Sequence, residues 1–198
     1  FKGISQQYKD SPADAQLGGI ERLRQWEKLH PGSAIVQTAL ADAYVNLAWT
    51  YRGIASIENT TFGEAQRFGQ TLVMAKTIGD NALDLNQNNL YLLTILIKIS
   101  YGLSLRDDLE VLIQKCVDIA PNYIHAFQPM TNALLPKWGG EPGAAEDFAA
   151  QIADKTQEAF GDSMYAVVAF YAALNSGDLS FKRDLNFDRD RVSKGIKD

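Results

Sequence analysis

Apolar side chains recur every three or four residues along almost the whole chain, and no stretch alternates strictly with a period of two. The clearest case is Ala65, Phe68, Leu72, Ala75, Gly79 and Ala82, whose successive steps are three, four, three, four and three. Such spacing brings side chains back to one side of an α-helix at each turn, whereas a strand needs a period of two. The pattern predicts an all-α fold. One helix is predicted over about 12–30, with Ile20, Leu23 and Trp26 inward. A second, over 33–53, carries Val36, Leu40, Ala43, Leu47 and Tyr51 on one face. Residues 90–103 are apolar on nearly every side, which predicts a helix sandwiched between neighbours.

Helix punctuation divides the rest. Ser11-Pro12 reads as an N-cap followed by proline at the first helical position, and Ser33 as the next cap. Asp107 and Asp108 suit a helix start, where backbone N–H groups point outward. Leu109, Leu112, Ile113 and Cys116 supply that helix's inward face, and Pro121 is expected to open the next. There Tyr123, Phe127, Met130 and Leu134 are expected inward, with a kink at Pro129 because proline lacks the N–H donor. Two further helices are predicted near 143–159 (Ala145, Phe148, Ile152) and 162–174 (Met164, Val167, Val168, Tyr171, Leu174). The count is about eight, in a single domain over 1–198, with helical pairs in 11–175 and a capping tail in 176–198.

Three helix ends look alike: WEKLHPGS at 26–33, ALDLNQNN at 82–89 and CVDIAPNY at 116–123. Leu29, Leu85 and Ile119 correspond, as do Pro31, Gln87 and Pro121. The step from 87 to 121 is 34 residues, the period of the tetratricopeptide unit, while that from 31 to 87 is 56, lengthened by the loop at 53–61. A helix pair cannot cover its own apolar face, so such units stack into a continuous core. The expectation is a right-handed α-solenoid of antiparallel helix pairs.

Two short motifs sharpen this. Trp49-Thr50-Tyr51-Arg52-Gly53 ends one helix, and Leu135-Pro136-Lys137-Trp138-Gly139-Gly140 interrupts the helical pattern. On these, and on the 34-residue step, the chain resembles the tetratricopeptide-like (TPR-like) superfamily, and within it a bacterial domain family of unassigned function. The resemblance covers roughly 20–175 and implies a helical fold, with no functional residues to carry over.

Composition excludes several classes of function. A net charge of −5 and a pI near 5.1, with no long Lys/Arg run, argue against nucleic-acid binding. The most apolar run, LYLLTILIKISYGLSL, is too short to span a bilayer and contains Lys98 and Ser100. With one cysteine no disulfide can form within the chain. The sequence starts at Phe1 with polar residues, so the expectation is a processed or truncated form, with any targeting segment upstream and the compartment open.

The candidate site residues are Arg52, Lys137 and Trp138. In one reading Lys137 and Trp138 line a groove and Arg52 holds an anion there. In the other, Pro136 stops a helix, Trp138 covers an apolar seam, and Gly139 and Gly140 supply positive φ. Neither His30 nor His125 has a Cys, His or Glu at metal-ligand spacing, so neither metal nor cofactor is expected. Cys116 sits at a buried helical position and reads as packing. Glu141, Glu146 and Asp147 form an acidic cluster that a helix start explains. The functional expectation is a non-catalytic scaffold that binds a protein or peptide partner in a solenoid groove. The alternative is an enzyme or enzyme-accessory domain with a small pocket near Trp138 and Arg52.

Overall fold

The computed structural model describes residues 13–53, 60–176 and 185–197. Among these every regular element is helical. The α-helices are α1 (Ala13–Leu29), α2 (Ala34–Arg52), α3 (Phe62–Leu85), α4 (Leu90–Gly102), α5 (Arg106–Ile119), α6 (Phe127–Leu134), α7 (Ala144–Phe160), α8 (Ser163–Ser176) and α9 (Arg189–Gly195). Two 3-10 turns, Ile124–Ala126 and Pro136–Trp138, flank α6. The all-α class is thus observed, and the described residues alone form nine α-helices where the sequence pattern suggested about eight. The additional helix is α9, too short to show a period. The proposed cap at Ser11-Pro12 and most of the loop at 53–61 lie outside the described residues. The chain divides into two compact units, Phe1–Leu103 and Ser104–Asp198.

In the first unit α2 is the core. It packs against α1, α3 and α4, and is buried from Val36 to Ala48 on more than one face. Alanines at 39, 41, 43 and 48 let neighbouring helices approach closely. Two polar groups inside are matched: Tyr91 Oη donates to Asp42 at 2.7 Å, and Asn89 Nδ2 donates to Thr38 Oγ1 at 3.3 Å. Helix α4 buries Leu92, Leu93, Ile95, Ile97 and Ile99 against α3 and α2, as its uniform apolarity predicted. Trp26 is a correction, being 41% exposed. The buried stripe of α1 runs Gln16, Gly19, Ile20 and Leu23, and its next step falls at position 27, so Trp26 is rotated off it.

The three similar helix ends form the same turn. His30, Asn86 and Ala120 donate their N–H groups to the carbonyls of Trp26, Ala82 and Cys116, at 3.0, 3.1 and 3.0 Å. Ser33, Asn89 and Tyr123 then donate back to the carbonyls of His30, Asn86 and Ala120, at 3.1, 3.4 and 3.1 Å. The last residue of each turn decides how the chain continues. Ser33 accepts from Val36 N, and Asn89 from Leu92 N, so a helix starts at once. Tyr123 makes no side-chain cap, and a 3-10 turn intervenes.

That difference corrects the expectation for Pro121. Helix α6 starts at Phe127, not at Pro121. Pro129 therefore falls in the first helical turn, where its missing N–H would have had no partner, and no kink is required. Tyr123 and Leu134, expected inward, are only half-buried, as is Ile113 of α5.

In the second unit α8 packs against α6, α7 and α9. Its buried residues are Met164, Tyr165, Ala166, Val168, Ala169, Ala172 and Ala173, and all but Ala166 form one stripe. Leu174, expected inward, lies off that stripe and is 51% exposed, one turn beyond the exposed Phe170. Residues 185–197 dock on α7 and α8. Leu185 and Phe187 are buried, and the Phe187 ring meets Tyr165 edge to face. Asp162, in the turn between α7 and α8, pairs with Arg191 at 2.9 Å and Lys194 at 3.0 Å. The Lys194 ammonium first, and Arg191 after it, hold the Asp162 carboxyl below its ordinary range against the opposing effect of burial.

A carboxyl lowered by folding stabilises above its unfolded pKa, about 3.9 for aspartate, and loses that contribution as pH falls through the folded value. The urea midpoint of the parent should therefore exceed that of Asp162→Asn by a constant amount above about pH 5, and the gap should close below about pH 4. A gap that persists unchanged at pH 2 would contradict the assignment.

Candidate functional site

Of the three residues nominated by the sequence, Lys137 and Trp138 share one 3-10 turn in the second unit, and Arg52 belongs to the first unit.

Arg52 is the last residue of α2. Its guanidinium lies 5.5 Å from the centroid of the Trp49 ring, a cation–π contact within its own helix. Gly53 follows at φ 65°, and its N–H donates to the Trp49 carbonyl at 3.1 Å. Trp49 also packs on Phe68 of α3 at 4.9 Å and on Tyr101 of α4 at 5.8 Å between ring centroids. A Cβ on Gly102 would stand 2.6 Å from Leu72 Cδ1 and 3.7 Å from the Trp49 ring, so glycine permits this convergence. The Trp-x-x-Arg-Gly motif therefore joins three helices and stops one of them.

The corner at 135–140 is built from backbone needs. Trp138, Gly139 and Gly140 donate their N–H groups to the carbonyls of Leu135, Pro136 and Leu135 at 2.9, 2.8 and 3.1 Å. Gly139 has φ 82°, the left-handed conformation. Gly140 was expected to share that property and does not. Its constraint is contact, because a Cβ there would overlap the Leu134 carbonyl. The second left-handed glycine is Gly143, immediately before α7. Arg106, at the start of α5, completes the corner. Its guanidinium donates to the carbonyl of Ala133 at 3.1 Å and to that of Trp138. A cation thus answers the carbonyls at the α6 end, where the helix dipole is negative. Trp138 is half-buried, while Lys137 is exposed and donates to the Asn175 carbonyl at the end of α8. Arg106 and Asn175 were missed by sequence reasoning, since Arg106 donates to backbone carbonyls far along the chain and Asn175 takes part only through its own carbonyl.

The other nominated groups have local explanations. The Cys116 thiol is buried and pushed up to about 11 by that burial, so at neutral pH it is a packing group rather than a nucleophile. His30 meets Trp26 edge to face, and His125 meets Tyr123 likewise. Among the described residues no three His, Cys, Asp or Glu side chains lie where they could hold a metal ion. Glu146 and Asp147 occupy the first turn of α7, and Glu146 Oε1 accepts from Asn186 N at 2.7 Å.

That last contact opens onto a surface whose residues, Glu146 apart, the sequence reading did not single out. Glu146, Asp154, Asp162 and Tyr165 line one face of α7 and α8 and grip residues 186–194. Tyr165 Oη accepts from Asp188 N at 2.9 Å, and Arg191 stands 4.6 Å over the Tyr165 ring. Arg191 also reaches Asp154 at 3.3 Å. Burial raises the Tyr165 phenol above its ordinary range, so it stays protonated at neutral pH.

Comparison of the chain with family models, with curated proteins and with solved structures gave no match.

If the 135–140 stretch is a corner, its variants separate by what each atom touches. Gly140→Ala should cost about 3 kcal/mol, from the forced overlap with Leu134. Trp138→Ala should cost about 2 kcal/mol, less than a fully buried tryptophan. Lys137→Ala should stay within about 1 kcal/mol, having lost one exposed hydrogen bond. Urea unfolding measures all three, and a Gly140→Ala chain as stable as the parent would end the corner account.

Proposed function

We propose that this chain is a non-catalytic scaffold that binds a protein or peptide partner, built as a right-handed, TPR-like α-solenoid of antiparallel helix pairs. The observation that carries the reading is the repeated turn after Leu29, Leu85 and Ile119, with the same two backbone hydrogen bonds in each copy. After Leu29 and Leu85 the flanking helices pack on each other; helices joined by so short a turn run antiparallel, and stacked pairs of this kind present an extended surface to a partner. Exposed Phe170 and Leu174, one turn apart on α8, supply apolar side chains of the sort a partner covers. The resemblance to a bacterial TPR-like family points the same way.

A second reading has one observation in its favour. Thr131 Oγ1, Asn132 Oδ1 and Asn175 Nδ2 are buried without a hydrogen-bond partner, and Lys137 bonds the backbone of Asn175. An opening of this region that admitted a small polar ligand beside Trp138 would satisfy them, as an enzyme or enzyme-accessory domain would require.

Selection from a random displayed-peptide library against the immobilised chain distinguishes the two. The scaffold reading expects enrichment of a consensus that a soluble copy of the same peptide competes away. Failure to enrich any consensus over several rounds would overturn it.

A further inference from the structure

Residues 185–197 lie on α7 and α8 as a peptide lies on a receptor. Glu146 and Asp154 stand on α7, Asp162 in the following turn, and Tyr165 in the first turn of α8, on two helices packed against each other. On the strap side there is a linear series. Leu185 and Phe187 are buried anchors two residues apart. The intervening and following N–H groups, of Asn186 and Asp188, go to Glu146 and Tyr165. Asp188 then caps its own short helix, accepting from Asp190 N at 2.8 Å and Arg191 N at 3.1 Å. Arg191 and Lys194, three residues apart, converge on Asp162. Gly195 closes the series, since a Cβ there would overlap the Asp162 carbonyl and stand 3.0 Å from Ala166 Cβ.

The two sides are unequal in a telling way. The Asp162 side chain is 7% exposed, whereas Lys194 is 59% exposed. The carboxylate belongs to the body, and the cations reach it from a rim open to solvent. Lifting the strap solvates Asp162 and uncovers Tyr165, but leaves α7 and α8 packed on each other. Two acidic groups on the face, Asp154 and Asp162, meet Arg191 and Lys194 on the strap, while Glu146 takes the Asn186 N–H. Extended anchors with backbone bonds, followed by a capped helical turn, are recognition devices that peptide-binding proteins use in trans.

We infer that the α7–α8 face is a peptide site which residues 185–197 occupy in cis, and that its partner is a protein segment of the same chemistry that displaces them. That segment carries an aliphatic and an aromatic residue two apart, then an acidic helix cap, then arginine, lysine and glycine at the spacing of Arg191, Lys194 and Gly195. The inference deepens the scaffold reading and rests on it. Tethering gives the strap an effective concentration of the order of millimolar, so it competes with any free segment. The site is autoinhibited until a tighter or more abundant ligand arrives.

The test uses the full chain and a fluorescent peptide of residues 185–197. Gly195→Val in the chain drives the strap off by collision with Asp162, without altering the face. Anisotropy should show the peptide binding this variant at least about tenfold more tightly than the parent, whose strap competes. Adding Asp162→Asn should weaken that binding at least about tenfold, and a peptide carrying Gly195→Val should not bind. No binding to the released chain overturns the inference, as does a dimer formed by exchange of straps, which would make the occupant a second copy. Hydrogen exchange in the parent decides independently of any variant. Strap amides should open well before the α7–α8 core, and exchange only with global unfolding would overturn the proposal. A consensus enriched from the peptide library on another surface would leave the scaffold reading standing while this one fails.

Discussion

Each helix ends with backbone groups that its own ladder cannot satisfy, four N–H groups at one end and four carbonyls at the other. A chain cut into short helices meets that constraint again and again, and the conspicuous residues of this protein are answers to it. Ser33 and Asn89 cap by side chain, and Thr61 does so in a reciprocal pair with Glu64. Gly53 turns the chain out of α2 in the left-handed region. The α6 end falls to Arg106, whose guanidinium bridges carbonyls on both sides of the break.

These end devices also fix the packing. Trp49 gives its carbonyl to Gly53 and its ring to Phe68 and Tyr101, so one residue both ends α2 and ties it to α3 and α4. Asp162 occupies the turn between α7 and α8 and holds the segment that lies across them.

The faces were legible because a period of three to four survives any neighbour that covers it. The α3 seam from Leu72 to Ala82, the all-round apolarity of α4 and the Ser33 cap were visible in the string of residues, whereas Ala65, at the start of that seam, is exposed and Phe68 half-buried. What escaped had two causes. Trp26 and Leu174 follow helical spacing to within one position, yet one position is a rotation of about 100°, and packing against specific neighbours decides which side of the stripe they fall. Arg106 lies 27 residues from Ala133 and 32 from Trp138, and it meets backbone atoms, which leave no mark in the sequence. The Asp162 grip failed to show for the same reason, its partners lying 29 and 32 residues away. The candidate site was legible only as punctuation. Gly139 and Gly140 could be seen to matter, but not that one needs a left-handed φ and the other needs to have no Cβ.

The Leu-Pro-Lys-Trp-Gly-Gly stretch is the solution to a helix end, and Arg106 holds it shut. Equilibrium urea unfolding of Arg106→Ala tests this most directly, because the variant removes two charge-assisted hydrogen bonds and leaves every residue of the motif in place. Removing bonds of this class while leaving partly buried carbonyls unanswered should cost about 3 kcal/mol, with Trp138 emission shifting toward that of an exposed indole in the native baseline. An Arg106→Ala chain within about 0.5 kcal/mol of the parent, with an unchanged Trp138 spectrum, would contradict the account.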